Sequence, residues 1–334
     1  MKFIKYLLFL VLIGFIGVSV YIAVQPNSFK ITKKYTINAP ASVVFNYVNN
    51  LKNWKHFDSW SAFENVNTLN SINGEGQLNT IQSNPENSIL QELTFDDLPN
   101  SNITWSFSTT KNKTTEISWT LSTESIPFKN KAYNLIYGGK EHIIAKHYAE
   151  SLKKLDSAVI ASMKVYKIKV NGSTNYGGGY YLYTTNSCRI DELDEKLKSS
   201  MRKVTAFAEK NNIVIAGLPF IHYLKRDSIN NATTFECCIP TTEQIISTES
   251  NILTGQIIPF EAIKTTLQGD YSNINEAWNT TLNYISKQNL VFPEHGTVIQ
   301  TFLNDSNAVP NPANWLSEIY FQVQPKDTEV VIEN

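Results

Sequence analysis

The stretch Tyr6–Val24, YLLFLVLIGFIGVSVYIAV, carries no charge and almost no polar side chain. At 1.5 Å per residue a helix of that length nearly matches a hydrocarbon core of roughly 30 Å. No polar face interrupts the run, so inside a soluble fold such a helix would need apolar contacts on every side. Lys2 and Lys5 precede it as in a secretory leader, yet the run exceeds the usual apolar region of about 7–15 residues and no A-x-A site follows. The expectation is an uncleaved, single-pass membrane anchor through residues 6–24. Lys30, Lys33 and Lys34 balance the near-terminal lysines, so charge asymmetry does not assign the side on which the rest of the chain lies.

With 334 residues, 42% of them hydrophobic, the chain is long enough for two domains with their own cores. The 29 Lys and Arg nearly cancel the 30 Asp and Glu, so no basic surplus points to nucleic acid, and none is expected as a partner. Cys188, Cys237 and Cys238 form neither a disulfide framework nor a C-x-x-C pair, and His142 and His147 are spaced five apart, off a common helical face. Neither a metal nor a cofactor is expected. G-x-S-x-G, the P-loop and G-x-G-x-x-G are absent from the sequence, and no acid–base pair marks catalytic residues. The glycines at 177–179 precede an aromatic strand, Tyr180 to Tyr183, and read as a hinge or bulge.

From Phe29 an alternating strand leads to Pro40, placed to open a helix whose face carries Val44, Val48 and Leu51. Period-two strands follow at Leu93 and Phe95, at Ile103, Trp105 and Phe107, and at Ile117, Trp119 and Leu121. A helix from about Lys140 to Met163 closes the segment, its apolar stripe being Ile144, Tyr148, Leu152, Leu155, Val159 and Met163. With TINAPASVVFNYVNNLKNWKHFDSW, the following GEG and the strand TTEISWTL, residues 31 to 163 resemble the SRPBCC superfamily of START-like and polyketide cyclase-like domains. The resemblance implies a helix-grip fold, a curved antiparallel sheet around a long helix, with a cavity for an apolar ligand. Trp54, Trp60, Trp105 and Trp119 would either bound that cavity or fill the core.

The second half contains a repeat. A helix at about Cys188 to Asn211, the strand GLPFIHYL, a loop and FECCIPT are matched by a helix at about Ile274 to Asn289, GTVIQTFL, a loop and SEIYFQV. Asn273 and Glu276 suggest a capping box, and Asn211 and Asn289 sit where left-handed residues end helices. With L-x-G-x-Y at Leu267 to Tyr271 and Ala277-Trp278 on the next helix, residues 165 to 324 resemble the GyrI-like effector-binding family. The expected fold class is therefore α+β: one transmembrane helix (1–28), a helix-grip domain (29–163) and a GyrI-like domain of two pseudo-repeats (164–334).

A glutamate at 318, inside the apolar strand SEIYFQV, has a burial cost to justify, and is paired, neutral, awaiting a cation or turned to solvent. The GyrI-like resemblance implies that it meets a lipophilic cation in an aromatic pocket, for which Trp278, Tyr223, Tyr271, Phe302 and Tyr320 are the candidate ligand-binding residues, with Trp315 as an additional aromatic. Glu236, at the equivalent place in FECCIPT, reads more readily as solvent-facing. Two functions stay open: a membrane-anchored receptor for small hydrophobic or cationic molecules, or a hydrolase or cyclase using the pocket glutamate.

Overall fold

The computed structural model describes residues 2–58, 68–71, 74–95, 98–112, 114–139, 141–227, 230–247, 249–305 and 308–326. Helices and antiparallel strands are mixed along the chain, which divides into two units, Met1–Ser162 and Met163–Asn334.

Unit 1 begins with helix α1 (Lys2–Ala23), whose apolar side chains are exposed along almost its whole length. It is long and apolar enough to cross a membrane. The last carbonyls of a helix lack intrahelical donors. Here a buried lysine supplies them: Lys131, from α3 (Phe128–Tyr137), donates from Nζ to Ala23 O at 3.2 Å, to Gln25 O at 2.7 Å and to Asn27 Oδ1. Its positive charge also suits the negative end of the helix dipole.

Six antiparallel strands follow: β1 (Phe29–Ile37), β2 (Thr68–Ser71), β3 (Gly74–Asn84), β4 (Ser88–Phe95), β5 (Leu98–Thr109) and β6 (Thr115–Thr123), in the order β1-β6-β5-β4-β3-β2. Pro40 stands just outside α2 (Ala41–Asn49) as its N-cap, and Leu51 falls in the 3₁₀ turn after it. Every second residue of β6 is buried, as the period-two pattern requires. The long helix α4 (Glu141–Met163) buries Ile144, Tyr148, Leu152, Leu155 and Val159, while Met163 is only half-buried. Trp119 stacks on Tyr148 at 3.8 Å and on Trp105 at 4.3 Å, and Trp54 meets both indoles edge-on. These three tryptophans are fully buried and pack on one another as core; Trp60 lies outside the described residues.

Unit 2 is built on eight strands: β7 (Lys167–Tyr176), β8 (Gly179–Arg189), β9 (Phe220–Asp227), β10 (Ala232–Thr241), β11 (Leu253–Ile257), β12 (Phe260–Gln268), β14 (Val298–Phe302) and β15 (Leu316–Gln322), with the short pair β13 (Leu290–Val291) and β16 (Gln324–Pro325) apart. The order β11-β8-β10-β9-β14-β15-β12-β7 displays the repeat, since β8, α5 (Leu193–Lys210), β9 and β10 are mirrored by β12, α6 (Ile274–Lys287), β14 and β15. The halves meet where β9 pairs with β14. β7 continues into β8 through Gly177 and Gly178, and β11 into β12 through Ile258 and Pro259, with Tyr176 opposite Phe260 and Gly179 opposite Ile257. The triple glycine is the bend of this two-stranded ribbon. Gly178 has φ +69°, and a Cβ there would stand 2.3 Å from Ile257 O, so only glycine fits.

Several local expectations shift by a few residues. Cys188 belongs to β8, and the helix starts at Leu193. The left-handed residue after α5 is Asn212, not Asn211, whereas Asn289 has φ 55°. No side chain of Asn273 caps α6; Asp270 Oδ1 accepts from Ser272 N at 2.8 Å instead, and Glu276 accepts from Tyr166 OH at 2.5 Å.

The Lys131 contacts tie α1 to its unit, so this helix is not a passive appendage. In the full chain Lys131→Met should cost about 1–3 kcal/mol, because helix-end carbonyls lose their donor. In a chain lacking residues 1–25 the same change should be neutral or stabilising, because the lysine has already lost two acceptors. Urea unfolding of the four combinations checks this; equal effects in both backgrounds would show that Lys131 does not act through α1.

Candidate functional site

The eight-stranded sheet has two faces. On β15, Ser317, Ile319 and Phe321 are buried, and Ile319 and Phe321 share a core with Leu193 and Leu197 of α5 and Ile274, Ala277 and Ile285 of α6. Alternation sends Leu316, Glu318, Tyr320 and Gln322 to the other face. There Tyr320 joins a second apolar cluster with Tyr176, Tyr181, Phe220, Cys238 and Ile299.

A cavity of about 340 Å³ opens on that second face, beside the ribbon bend at Gly178. Phe220 and Ile257 from the first half and Tyr176, Leu303, Glu318 and Tyr320 from the second line it. Glu318 is not waiting for a cation: Lys264 Nζ, on β12, donates to Oε1 at 2.6 Å and Tyr320 OH to Oε2 at 2.6 Å. Lys264 lies opposite Tyr320 in the β12–β15 register, its ammonium 5.8 Å from that ring's centroid. The Glu318 and Lys264 side chains are 17% and 27% exposed, so the pair is partly shielded from water. An internal ion pair therefore meets the cost of burying the carboxylate. A carboxylate has about four lone-pair positions, so two bonds leave acceptor capacity at the cavity wall.

Glu236 carries a similar arrangement in the first repeat. It is buried, not solvent-facing, and accepts from Tyr181 OH at 3.2 Å and from His222 Nδ1 at 3.0 Å. It does not line the cavity.

The remaining candidate residues lie on the helix face. Tyr223, Tyr271 and Phe302 border another cavity of about 340 Å³ with Leu193, Leu197 and Gln300. Gln300 is buried and satisfied, accepting from Tyr223 OH at 2.8 Å and donating to Ser317 Oγ at 3.1 Å. Trp315 packs on Tyr271 with ring centroids 4.8 Å apart. Trp278 lines neither cavity; it packs edge-on between Tyr223 and Phe321 at 5.1 and 4.9 Å. The six candidates thus divide: Glu318 and Tyr320 share the cavity on the second face, Tyr223, Tyr271 and Phe302 share the one on the helix face, and Trp278 lines neither. The partners of Glu318 and Tyr320, namely Lys264, Tyr176 and Phe220, carry no sequence mark, because nothing short of strand pairing brings them to the second face.

Unit 1 holds another polar group that spacing did not single out. Asp58 and Ser151 are buried with His147, whose Nε2 lies 2.5 Å from Asp58 Oδ1 and 3.4 Å from Ser151 Oγ. Acid and hydroxyl share one ring nitrogen, unlike a hydrolytic triad, in which they engage opposite nitrogens.

Burial pushes the Tyr176 hydroxyl up to about 12, helped by the nearby Cys238 thiol. Burial and then the adjacent carboxylates hold Tyr320 and Tyr181 well above the usual tyrosine range. The neutral phenols are thus favoured in the folded state, and an unfolded chain ionises them from about pH 10. Stability present below pH 10 should fall as pH rises, Tyr176 alone accounting for about 2–3 kcal/mol between pH 10 and 12. Denaturant unfolding at successive pH values, with tyrosinate absorbance recorded in parallel, tests this; ionisation of these phenols near pH 10 without loss of stability would contradict it.

No family model matches the chain, and no curated protein matches it. Solved structures resemble parts of it at low identity. The EcmrR C-terminal domain is 14% identical, covering 48% of this chain and 99% of its own, with a TM-score of 0.39. SAV2435, solved bound to tetraphenylphosphonium, is 6% identical over 48% of this chain and 94% of its own, with a TM-score of 0.34. The Aha1 dimer from Colwellia psychrerythraea is 11% identical over 39% of this chain and 96% of its own, with a TM-score of 0.31.

Proposed function

We propose that the chain is a membrane-anchored receptor for a small hydrophobic molecule, bound in the aromatic cavity where the two repeats of unit 2 meet. The observation that carries this reading is the cavity itself: about 340 Å³, walled by Tyr176, Phe220 and Tyr320, with one carboxylate set among them. Three rings beside glycine backbone and polar side chains give a mixed lining, in which apolar surface can hold a small molecule and placed polar groups can orient it. Because Lys264 already neutralises Glu318, neutral aromatic ligands enter without a charge penalty. A lipophilic cation gains the carboxylate and three ring faces only by competing with the ammonium of Lys264. The GyrI-like character of unit 2 and the SRPBCC, helix-grip character of unit 1 belong to this reading, supported by the doubled β8–α5–β9–β10 order and by α4 lying against its sheet.

The anchor is α1, and the apolar surface continues past its end. Phe128, Tyr133, Ile136 and Tyr137 of α3 are exposed on the helix whose Lys131 holds the last carbonyl of α1 and that of Gln25 just past it. Tyrosines beside a span belong at the headgroup level, so α3 rests on the bilayer surface where α1 leaves it.

The alternative, hydrolysis or cyclisation by Glu318, needs a proton donor beside the carboxylate. Tyr320 and Lys264 both donate to Glu318 itself, and burial makes the Tyr320 hydroxyl a poor acid. Binding is the better-supported function.

Titration of the full chain in detergent with tetraphenylphosphonium and with neutral triphenylphosphine oxide tests the site. Glu318→Gln should weaken the cation by about 10- to 100-fold, the equivalent of losing a bond to a charged group, and leave the neutral probe nearly unchanged. Lys264→Met should tighten the cation, since it removes the competing ammonium. Equal effects on both probes would leave Glu318 with no electrostatic part in recognition, and failure of both probes to bind would overturn the receptor reading.

A further inference from the structure

Arg226 lies near the end of β9 on the helix face, and a bulge puts it there. Opposite β10, Thr234 pairs with Lys225 but Phe235 with Tyr223, so Leu224 is the extra residue. Such a bulge re-aims the side chains beyond it. Tyr223 and Arg226, three apart, consequently both reach Trp278: Tyr223 packs edge-on to the indole, and the Arg226 guanidinium carbon stands 4.9 Å from its centroid.

Both terminal nitrogens of Arg226 are buried without a hydrogen-bond partner, and so is Nε1 of Trp278. All three are donors only, and guanidinium cannot shed its charge in a protein. Burial works against the charged form, and the indole face returns part of the loss. Stacking leaves every one of those N–H groups unfilled, however. A buried charge with unfilled donors is among the costliest arrangements a fold can hold, and elsewhere this chain avoids it: Lys131 has three acceptors, and Lys264 has Glu318. Arg226 and Trp278 each keep part of their surface at solvent while the three nitrogens lie just beneath it, so an anion reaches them by a shift of these side chains.

We propose that Arg226 and Trp278 form a receptor for the oxyanion of a small molecule, a carboxylate or a phosphate ester. The guanidinium fork suits two oxygens of such a group, and the indole face under it fixes its position. A cation would be repelled, and a neutral ligand with a single acceptor would leave most of the donors empty. The site lies on the opposite face of the sheet from Glu318 and stands whether or not the aromatic cavity binds a ligand.

The test uses the full chain in detergent, with benzoate and phenyl phosphate as probes and chloride at matched ionic strength as control. Saturable stabilisation is expected, about 3–6 °C at ten times the titration midpoint. Response to benzoate alone assigns a carboxylate, to phenyl phosphate alone a phosphate, and to both a general oxyanion site. Arg226→Met should abolish the response while melting no lower than the anion-free wild type, because it removes an uncompensated charge. A second readout is the indole N–H resonance of ¹⁵N-tryptophan-labelled protein, identified by its loss in Trp278→Phe; it should shift with the same midpoint. No stabilisation beyond chloride, an unchanged response in Arg226→Met, or a Trp278 resonance that ignores the anion would each overturn the proposal.

Discussion

The architecture of unit 2 depends on the pairing of β9 with β14, the ladder that joins the two halves of its sheet. Without it each repeat would present an open strand edge. Its register also decides which residues can meet. Tyr223 opposite Val298 belongs to the helix-side core, while Phe220 opposite Thr301 and His222 opposite Ile299 belong to the other face. A slip of one residue would exchange the faces, moving Phe220 away from Glu318 and Tyr223 away from Gln300. Both cavities are consequences of one ladder.

Buried charge is the second constraint, and the chain meets it locally. Glu318 takes Lys264 and Tyr320, Glu236 takes His222 and Tyr181, and Lys131 takes the end of α1. Apart from Glu318 with Tyr320, which share β15, each pairing joins residues on different elements and so also fixes how those elements lie within their unit. Arg226 breaks the pattern, its buried terminal nitrogens being unmatched where Glu318, Glu236 and Lys131 are matched, and that makes it informative.

Legibility in the sequence follows the range of the interactions. The apolar run of α1, the stripe of α4 and the alternation of β6 and β15 are short-range periodicities and could be read directly. The repeat was readable because helix, strand, loop and strand recur in one order. Helix ends were less so: Asp270 rather than Asn273 provides a cap, and the left-handed turn falls on Asn212, since neighbouring polar residues compete for the same backbone donors. The site was legible only at Glu318 and Tyr320, two residues apart on one strand. Lys264 lies more than fifty residues away and becomes visible only through the β12–β15 ladder, and Arg226 reaches Trp278 only through a bulge that no local pattern marks.

The two repeats are not equivalent as binding surfaces, and the reason is the origin of each tyrosine. Tyr320 follows Glu318 on the same strand and lies at the cavity wall, so the carboxylate it supports remains part of that wall. Tyr181 instead comes from β8, opposite the strand position of Gly255, where its ring takes the room that a Cβ at 255 would need, the nearest approach being 2.4 Å. That ring, together with His222, encloses Glu236. The same residue type, repeated at the same place in the motif, is thus a structural acceptor in one half and a cavity group in the other. The difference lies in which strand delivers the phenol, not in the carboxylate.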